Sequence, residues 1–322
     1  MKVIAFEKYG SPRVLHVKEI VKPIPKENEV LIKIHATTAT LYDCWQRSST
    51  APTGFGLLSR LSSGLFRPKQ TILGTDLAGE IEEVGKNVYK FKKGDQIYAF
   101  LSNLGAYSEY VCLSEDKSVA PKPNNMTYEQ AASVPQGALT ALYFLRKANI
   151  QPGQKVLIFG ASGGVGSFAV QIAKNLGAEV TGVCSTRNLE LVKSLGVAKV
   201  IDYTRDDFTK NREIYDVIFD TVGKSSISKS KISLRKDGFY VFATFGLPKL
   251  LQILWLKLTT NKNVVLGLLE DKAEDLMYLK KLIEEDKITT VVDRVFPAEK
   301  AADAHDYVEK KLKKGHVIIT FV

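Results

Sequence analysis

The rhythm of apolar and polar residues changes twice along the chain. Up to about residue 120 it is a pattern of short strands and turns. Val30-Leu31-Ile32-Lys33-Ile34 is β-branched and partly alternating, as a strand with one solvated face would be. Glu80-Ile81-Glu82-Glu83-Val84-Gly85, Gly94-Asp95-Gln96-Ile97-Tyr98-Ala99 and Gly105-Ala106-Tyr107-Ser108-Glu109-Tyr110-Val111 have the same character. Residues 46–70 break it. They are rich in Ser, Gly and Pro with scattered Phe and Leu, and are expected to form one long mobile loop, a feature that usually has a function in a compact domain.

Past Pro121-Lys122-Pro123, helical and extended patterns alternate. Thr127, with Gln130 three residues on, predicts a capped helix start. Lys155-Val156-Leu157-Ile158-Phe159 is a continuous apolar run, as a parallel strand buried on both faces would be. A glycine-rich turn follows, then a helical stretch over 168–176 with Gly177 placed to end it. Further strands are expected at 179–183, 199–202, 216–220, 239–243 and 263–268. Strands separated by helices imply a doubly wound parallel sheet. Near residue 270 the alternation stops. An amphipathic helix over 275–283 and a strand over 316–322 remain, too few elements to fold alone, so this tail is expected to return to the first domain. The division that follows is 1–124, 125–270 and 271–322.

The turn Gly160-Ala161-Ser162-Gly163-Gly164-Val165-Gly166 carries the first chemistry. Glycine permits both a sharp turn and close approach of the backbone to a pyrophosphate, and the helix start behind it offers N–H groups and positive dipole. The spacing is not the strict GxGxxG, but the strand–turn–helix–strand setting that the motif needs is complete, and it predicts dinucleotide binding. An NAD site usually has an acid at the end of the second strand. Here Cys184-Ser185-Thr186-Arg187-Asn188 stands there, and the first acid is Glu190. Ser185 and Arg187 suit a ribose 2′-phosphate, so the expected cofactor is NADPH.

Bulk properties narrow the classes. A chain of 322 residues is long enough for two domains, and 45% apolar with 25% charged residues is a globular balance. No run approaches the length of a membrane span, and Met1-Lys2-Val3-Ile4-Ala5-Phe6-Glu7 lacks the pattern of a secretory leader, so a cytoplasmic protein is expected. Cys44, Cys112 and Cys184 are too few and too scattered for a four-cysteine zinc site and are expected as free thiols. The net charge of +10 suits anionic ligands. Its clearest run, Lys310-Lys311-Leu312-Lys313-Lys314, has no interleaved aromatic residues to stack bases and is expected to be the solvated end of a short helix. Leu250-Leu251-Gln252-Ile253-Leu254-Trp255-Leu256-Lys257-Leu258 is too short to span a bilayer; a buried helix beside the substrate cleft is expected, with membrane-surface attachment as the alternative.

Several segments in the same order resemble zinc-independent medium-chain dehydrogenases/reductases, the group of zeta-crystallin-like quinone oxidoreductases and plant enone reductases. They are Lys8-Tyr9-Gly10-Ser11-Pro12, the strand over 30–34, Gly74-Thr75-Asp76-Leu77-Ala78-Gly79, Gly94-Asp95, Val134-Pro135, Ala138-Leu139-Thr140-Ala141-Leu142, the 160–166 turn, Val200-Ile201-Asp202-Tyr203 and Asp220-Thr221-Val222-Gly223. The resemblance implies an α/β protein: a Rossmann domain inserted into a mostly-β, GroES-like catalytic domain, with homodimers paired along the edge strand at 263–268. It adds Thr140, Tyr203, Val222 and Phe245 to the cofactor contacts Gly160, Ser162, Gly163, Gly164, Val165, Gly166, Ser185 and Arg187. Where zinc-bearing relatives hold their catalytic metal, this chain has Thr40, Thr75 with Asp76 beside it, and Gln136, none of them a good zinc ligand, so no metal is expected. Many quinone reductases of this type have Asn where Thr40 stands.

Without zinc to stabilise an alkoxide, a conjugated acceptor is the expected substrate, because hydride addition to a quinone or an α,β-unsaturated carbonyl leaves a delocalised anion. Positioning and one or two donors then suffice, and Tyr42 and Thr40 are the candidates. The alternatives are an enoyl-thioester reductase and a cofactor-bound adaptor or RNA-binding protein.

Overall fold

A computed structural model describes residues 1–321 except 211, 212, 261, 268, 270 and 271. The ends of the expected strands at 263–268 and 316–322, and the expected boundary at 270/271, therefore lie outside the described residues.

The first part of the chain is mostly strand. β1 (Lys2–Ala5) pairs with β2 (His16–Glu19) as an antiparallel ribbon. β3 (Glu29–Ala39) is the long spine of the first large sheet. The chain then turns through α1 (Leu41–Ser48) and α2 (Gly56–Ser63) before β4 (Asp76–Val84), β5 (Gln96–Phe100), β6 (Tyr110–Ser114) and β7 (Val119–Pro121). Their order corrects one expectation and adjusts another. Residues 46–70 are not one loop: α1 runs to Ser48, and α2 occupies Gly56–Ser63. Serines and glycines masked a helical spacing too short to stand out. The strand expected over 105–111 starts only at Tyr110, because Leu104 and Gly105 both take positive φ and turn the chain first.

The second sheet is built from β8 (Lys155–Phe159), β9 (Glu179–Cys184), β10 (Lys199–Asp202), β11 (Tyr215–Asp220), β12 (Leu234–Phe242) and β13 (Asn263–Val265). All pairs are parallel, in the order β10-β9-β8-β11-β12-β13. Strand order reverses between β8 and β11, and the carboxyl ends of the strands at such a switch point are where doubly wound sheets take their ligands. α3 (Tyr128–Ala132) begins at Thr127 with the expected capping box to Gln130. α4 (Pro135–Lys147) and α5 (Gly164–Asn175) pack together against the sheet, burying Leu139, Leu142, Phe168 and Ile172. α6 (Leu189–Ser194), α7 (Ile227–Ser230) and α8 (Leu247–Thr259) complete the crossovers.

α9 (Ala273–Glu284) is fixed to the first sheet by the buried Tyr98 hydroxyl, which donates to the Leu276 carbonyl at 2.5 Å. β14 (Val292–Pro297), α10 (Ala301–Glu309) and β15 (His316–Thr320) follow. β15 lies antiparallel to β3, with Val317 opposite Ala39 and Thr320 opposite Ala36, and β14 pairs with its far side. The resulting seven-stranded sheet thus joins residues from both ends of the described chain around a parallel-sheet insert. No helix among the described residues is long and apolar enough to cross a membrane.

Candidate active site

β8 ends at Phe159 and the chain turns at Gly160, whose φ of +85° is the left-handed conformation glycine adopts without strain. The turn closes on itself as Gly163 N–H donates to the Gly160 carbonyl at 3.0 Å. A Cβ on Gly166 would sit 2.1 Å from that same oxygen, so the first turn of α5 rests against the strand end only because residue 166 has no side chain. Gly163 caps α5 without any side-chain hydrogen bond, which leaves the helix start to a ligand. Ser162 is held by the Asn188 side-chain amide, 2.8 Å from its Oγ. The turn is a cradle of backbone donors with close approach built in, and it fits a pyrophosphate.

The other expected cofactor contacts surround this cradle. Ser185 and Arg187 follow β9, beside the turn. Arg187 is exposed, and its Nη2 donates to the Lys311 carbonyl at 2.7 Å. Tyr203 lies half-open beyond β10, its ring 6.1 Å from that of Phe159. Val222 follows β11, where Asp220 binds the loop by accepting from the N–H groups of Val222, Gly223 and Ser225. Thr140 is on α4, and Phe245 packs edge-on against Phe55, 6.3 Å between centroids.

Two features here were not legible in the sequence. Asp202, at the end of β10 opposite Cys184, accepts from Thr186 Oγ1 at 2.5 Å, and this bond holds its carboxyl below the ordinary value. The acid absent from the end of β9 is thus present one strand over, tied up by Thr186, Thr204 and Arg205. The second feature corrects the reading of the basic run 310–314. It is not merely the solvated end of α10: Gly315 N–H donates to the Ser162 carbonyl at 2.9 Å, Gly315 and Gly163 form a parallel bridge, and Lys313 Nζ donates to the Gly315 carbonyl. Gly315, next after the run, ties the glycine turn to β15. Only tertiary pairing brings the two together, so no local pattern announces it.

Of the expected catalytic residues, Thr40 is the N-cap of α1. Its hydroxyl accepts from Asp43 N–H at 3.2 Å and donates to Asp43 Oδ2 at 2.5 Å, while Thr40 N–H donates to the same oxygen at 2.9 Å. The proton Thr40 could offer a substrate is committed to Asp43. Tyr42, two residues on in the first turn, is 37% exposed, and partial burial raises its hydroxyl above the ordinary value. The positions Thr40, Thr75 and Gln136 come together around two buried carboxylates. Asp43 Oδ1 also accepts from Gly74 N–H, and Asp76 accepts from Thr38 Oγ1 at 2.6 Å and Gln136 N–H at 2.7 Å. Burial raises Asp43 to about 6 and Asp76 to about 7, against the hydrogen bonds that hold them. Two hydroxyls and an amide are poor zinc donors, the carboxylates are already engaged, and among the described residues no three His, Cys, Asp or Glu side chains are grouped for a metal. These residues do not fit a catalytic zinc.

Residues 26–124 match the alcohol dehydrogenase GroES-like domain family, and residues 195–319 the zinc-binding dehydrogenase family. The chain is 33% identical over 339 residues to a chloroplastic quinone-oxidoreductase homolog of Spinacia oleracea, covering 99% of this chain and 98% of that one. The chain belongs to the medium-chain dehydrogenase/reductase family. This medium-chain reductase is also 32% identical over 334 residues to a chloroplastic NADPH-dependent alkenal/one oxidoreductase of Arabidopsis thaliana, with 99% of this chain and 79% of the relative covered. Among solved structures it is similar to the quinone oxidoreductase from Coxiella burnetii, with a TM-score of 0.89 and 31% identity over 100% of this chain and 99% of the other. It is an oxidoreductase of the quinone oxidoreductase and enone reductase branch, a group that works with a nicotinamide cofactor.

Proposed function

We propose that this reductase transfers a hydride from NADPH to a quinone or an α,β-unsaturated carbonyl, and that it works as a cytoplasmic homodimer joined along β13. The observation that carries the reading is the cleft itself: a pyrophosphate cradle at 160–166 faces an acceptor side whose polar groups are hydroxyls and buried carboxylates rather than zinc ligands.

Bound at the cradle, the dinucleotide supplies the hydride. The chain's own residues do the rest. Gly160 and Gly163, whose own N–H groups are spent inside the fold, shape the turn, and Gly164, Val165 and Gly166 at the start of α5 receive the pyrophosphate on backbone N–H groups. Ser185 and Arg187 receive a 2′-phosphate. Arg187 is steadied for this by the Lys311 carbonyl, and the competing carboxylate of Asp202 is held by Thr186 and Thr204. Thr140, Ser162, Tyr203, Val222 and Phe245 line the approach. Phe55 and Phe245 form an apolar corner suited to a flat, apolar acceptor that excludes water. Tyr42 donates to the acceptor oxygen as negative charge grows there, while Thr40 positions α1 through Asp43 instead of donating itself.

The test is turnover. Purified protein should consume NADPH with simple quinones and with small enones, and should show little oxidation of ethanol-like alcohols with NADP. Robust alcohol oxidation with no turnover of either conjugated class would overturn the reading.

A further inference from the structure

The segment 250–258 does not form the buried helix that its composition suggests. In α8 only Ile253 and Leu256 are buried. Leu251, Leu254, Trp255 and Leu258 are exposed, Trp255 by 54% and Leu258 by 86%. These four recur at i, i+3, i+4 and i+7, so the helix carries a second apolar stripe pointing away from the core. α2 behaves likewise. Leu57, Leu58 and Leu61 are exposed, as are Leu65 and Phe66 just beyond it, Leu58 by 62% and Phe66 by 87%.

The two helices belong to different parts of the fold yet start from one junction. Leu247 N–H donates to the Thr53 carbonyl at 2.7 Å, and Phe55 packs on Phe245. A Cβ on Gly54 would meet Leu247 Cβ at 2.5 Å. The junction is at the apolar corner of the cleft.

Charge says what covers this face. No acid occurs between Asp43 and Asp76, a stretch containing Arg60, Arg67 and Lys69, or between Asp237 and Glu270, a stretch containing Lys257 and Lys262. Lys231 lies over the Trp255 ring, 5.3 Å from its centroid. Exposed leucines, a tryptophan and the bases carried by these two acid-free stretches complement an anionic lipid surface. A second copy placed face to face would set like charges against each other.

We propose that the exposed faces of α2 and α8 dock the protein on an anionic membrane surface, with the mouth of the cleft turned towards the lipid. Resting on the reductase reading above, this makes the acceptor a quinone or enone dissolved in the bilayer. The experiment uses the full chain and vesicles of phosphatidylcholine alone or with phosphatidylglycerol. Trp45 and Trp255 are the only tryptophans, so in a Trp45→Phe background Trp255 reports alone. The protein should float with phosphatidylglycerol vesicles, its Trp255 emission should shift to the blue, and salt should weaken both effects. The double variant L254Q/L258Q should lose at least about tenfold in partitioning while keeping turnover of a water-soluble quinone. K257E, which leaves the apolar stripe intact, should weaken binding to anionic vesicles only. Absence of binding to anionic vesicles overturns the proposal. So does binding that L254Q/L258Q leaves unchanged, or shielding of Trp255 from iodide without lipid in a dimer, which would make the face a subunit interface. Vesicle binding without turnover of any quinone or enone would sink the reductase reading and leave the docking surface standing; turnover without vesicle binding would do the reverse.

Discussion

The two sides of the cleft are built on opposite plans. The side proposed to hold the cofactor is a backbone device. Gly160, Gly163 and Gly166 shape it, the strands behind it are buried on both faces, and its tolerances are fractions of an ångström. The acceptor side is a side-chain device. Thr40, Asp43, Thr38 and Asp76 form a buried polar frame, and beyond it Tyr42 and the apolar residues of α2 face solvent. A backbone cradle suits a ligand whose shape never changes. A side-chain frame can be re-tailored to a new acceptor without disturbing the sheet, which is how one fold comes to serve many reactions.

That contrast can be broken most sharply at Gly166. Gly166→Val should abolish dinucleotide binding and cost more than about 3 kcal/mol of stability, because the new Cβ falls inside the Gly160 carbonyl; calorimetry and cofactor titration would show it. If the variant binds NADPH normally, the cradle is not a backbone device. On the acceptor side, Tyr42→Phe should lower kcat by about 10- to 1000-fold with little change in NADPH affinity, the scale of losing one oxyanion donor. An unchanged kcat would remove Tyr42 from the mechanism. Arg187→Ala should weaken NADPH by about 1.5–3 kcal/mol and leave NADH nearly untouched, a difference that fluorescence titration resolves. Equal losses for both would place Arg187 elsewhere.

A subtler effect concerns pH. Asp43 and Asp76 bind protons more tightly folded than unfolded, so their contribution to stability falls as pH rises from about 4 to about 7. Burial lowers His305 and His316 to about 3, so they contribute the opposite slope between about 3 and about 6.5. The four nearly cancel in that window. Asp76→Asn should unmask the histidines, and stability should then rise with pH by up to about 1.4 kcal/mol per unit between pH 4 and 6.5. Urea melts across that range check it, and a slope equal to that of the parent would rule the pair out.

The unit of β8, glycine turn and α5 could be read from the sequence because its determinants are local. A strand, a glycine turn and a helix follow one another, and β8 and β10 fall where the apolar runs are. The capping box at Thr127 is equally local. What escaped notice depends on distant pairing. Lys311 and Gly315 reach Arg187 and Ser162 only after β15 joins β3. Asp202 reaches Thr186 because β10 lies beside β9. Asp43 and Asp76 look like surface acids in sequence, and only the crossing of α1, β3 and α4 buries them. The α8 stripe escaped for another reason: periodicity reveals that a helix has two apolar faces, not which of them the core will take.

The position of β15 bears on how the protein is born. Residues 36–39 of β3 present their hydrogen-bonding edge to a strand translated much later. While the ribosome is still working through the parallel insert, that insert can already close, since its strands follow one another in sequence. The first sheet cannot, and its open edge invites pairing with a neighbouring nascent chain. Until residues 316–320 are made, that edge of β3 has no partner strand from this chain along residues 36–39.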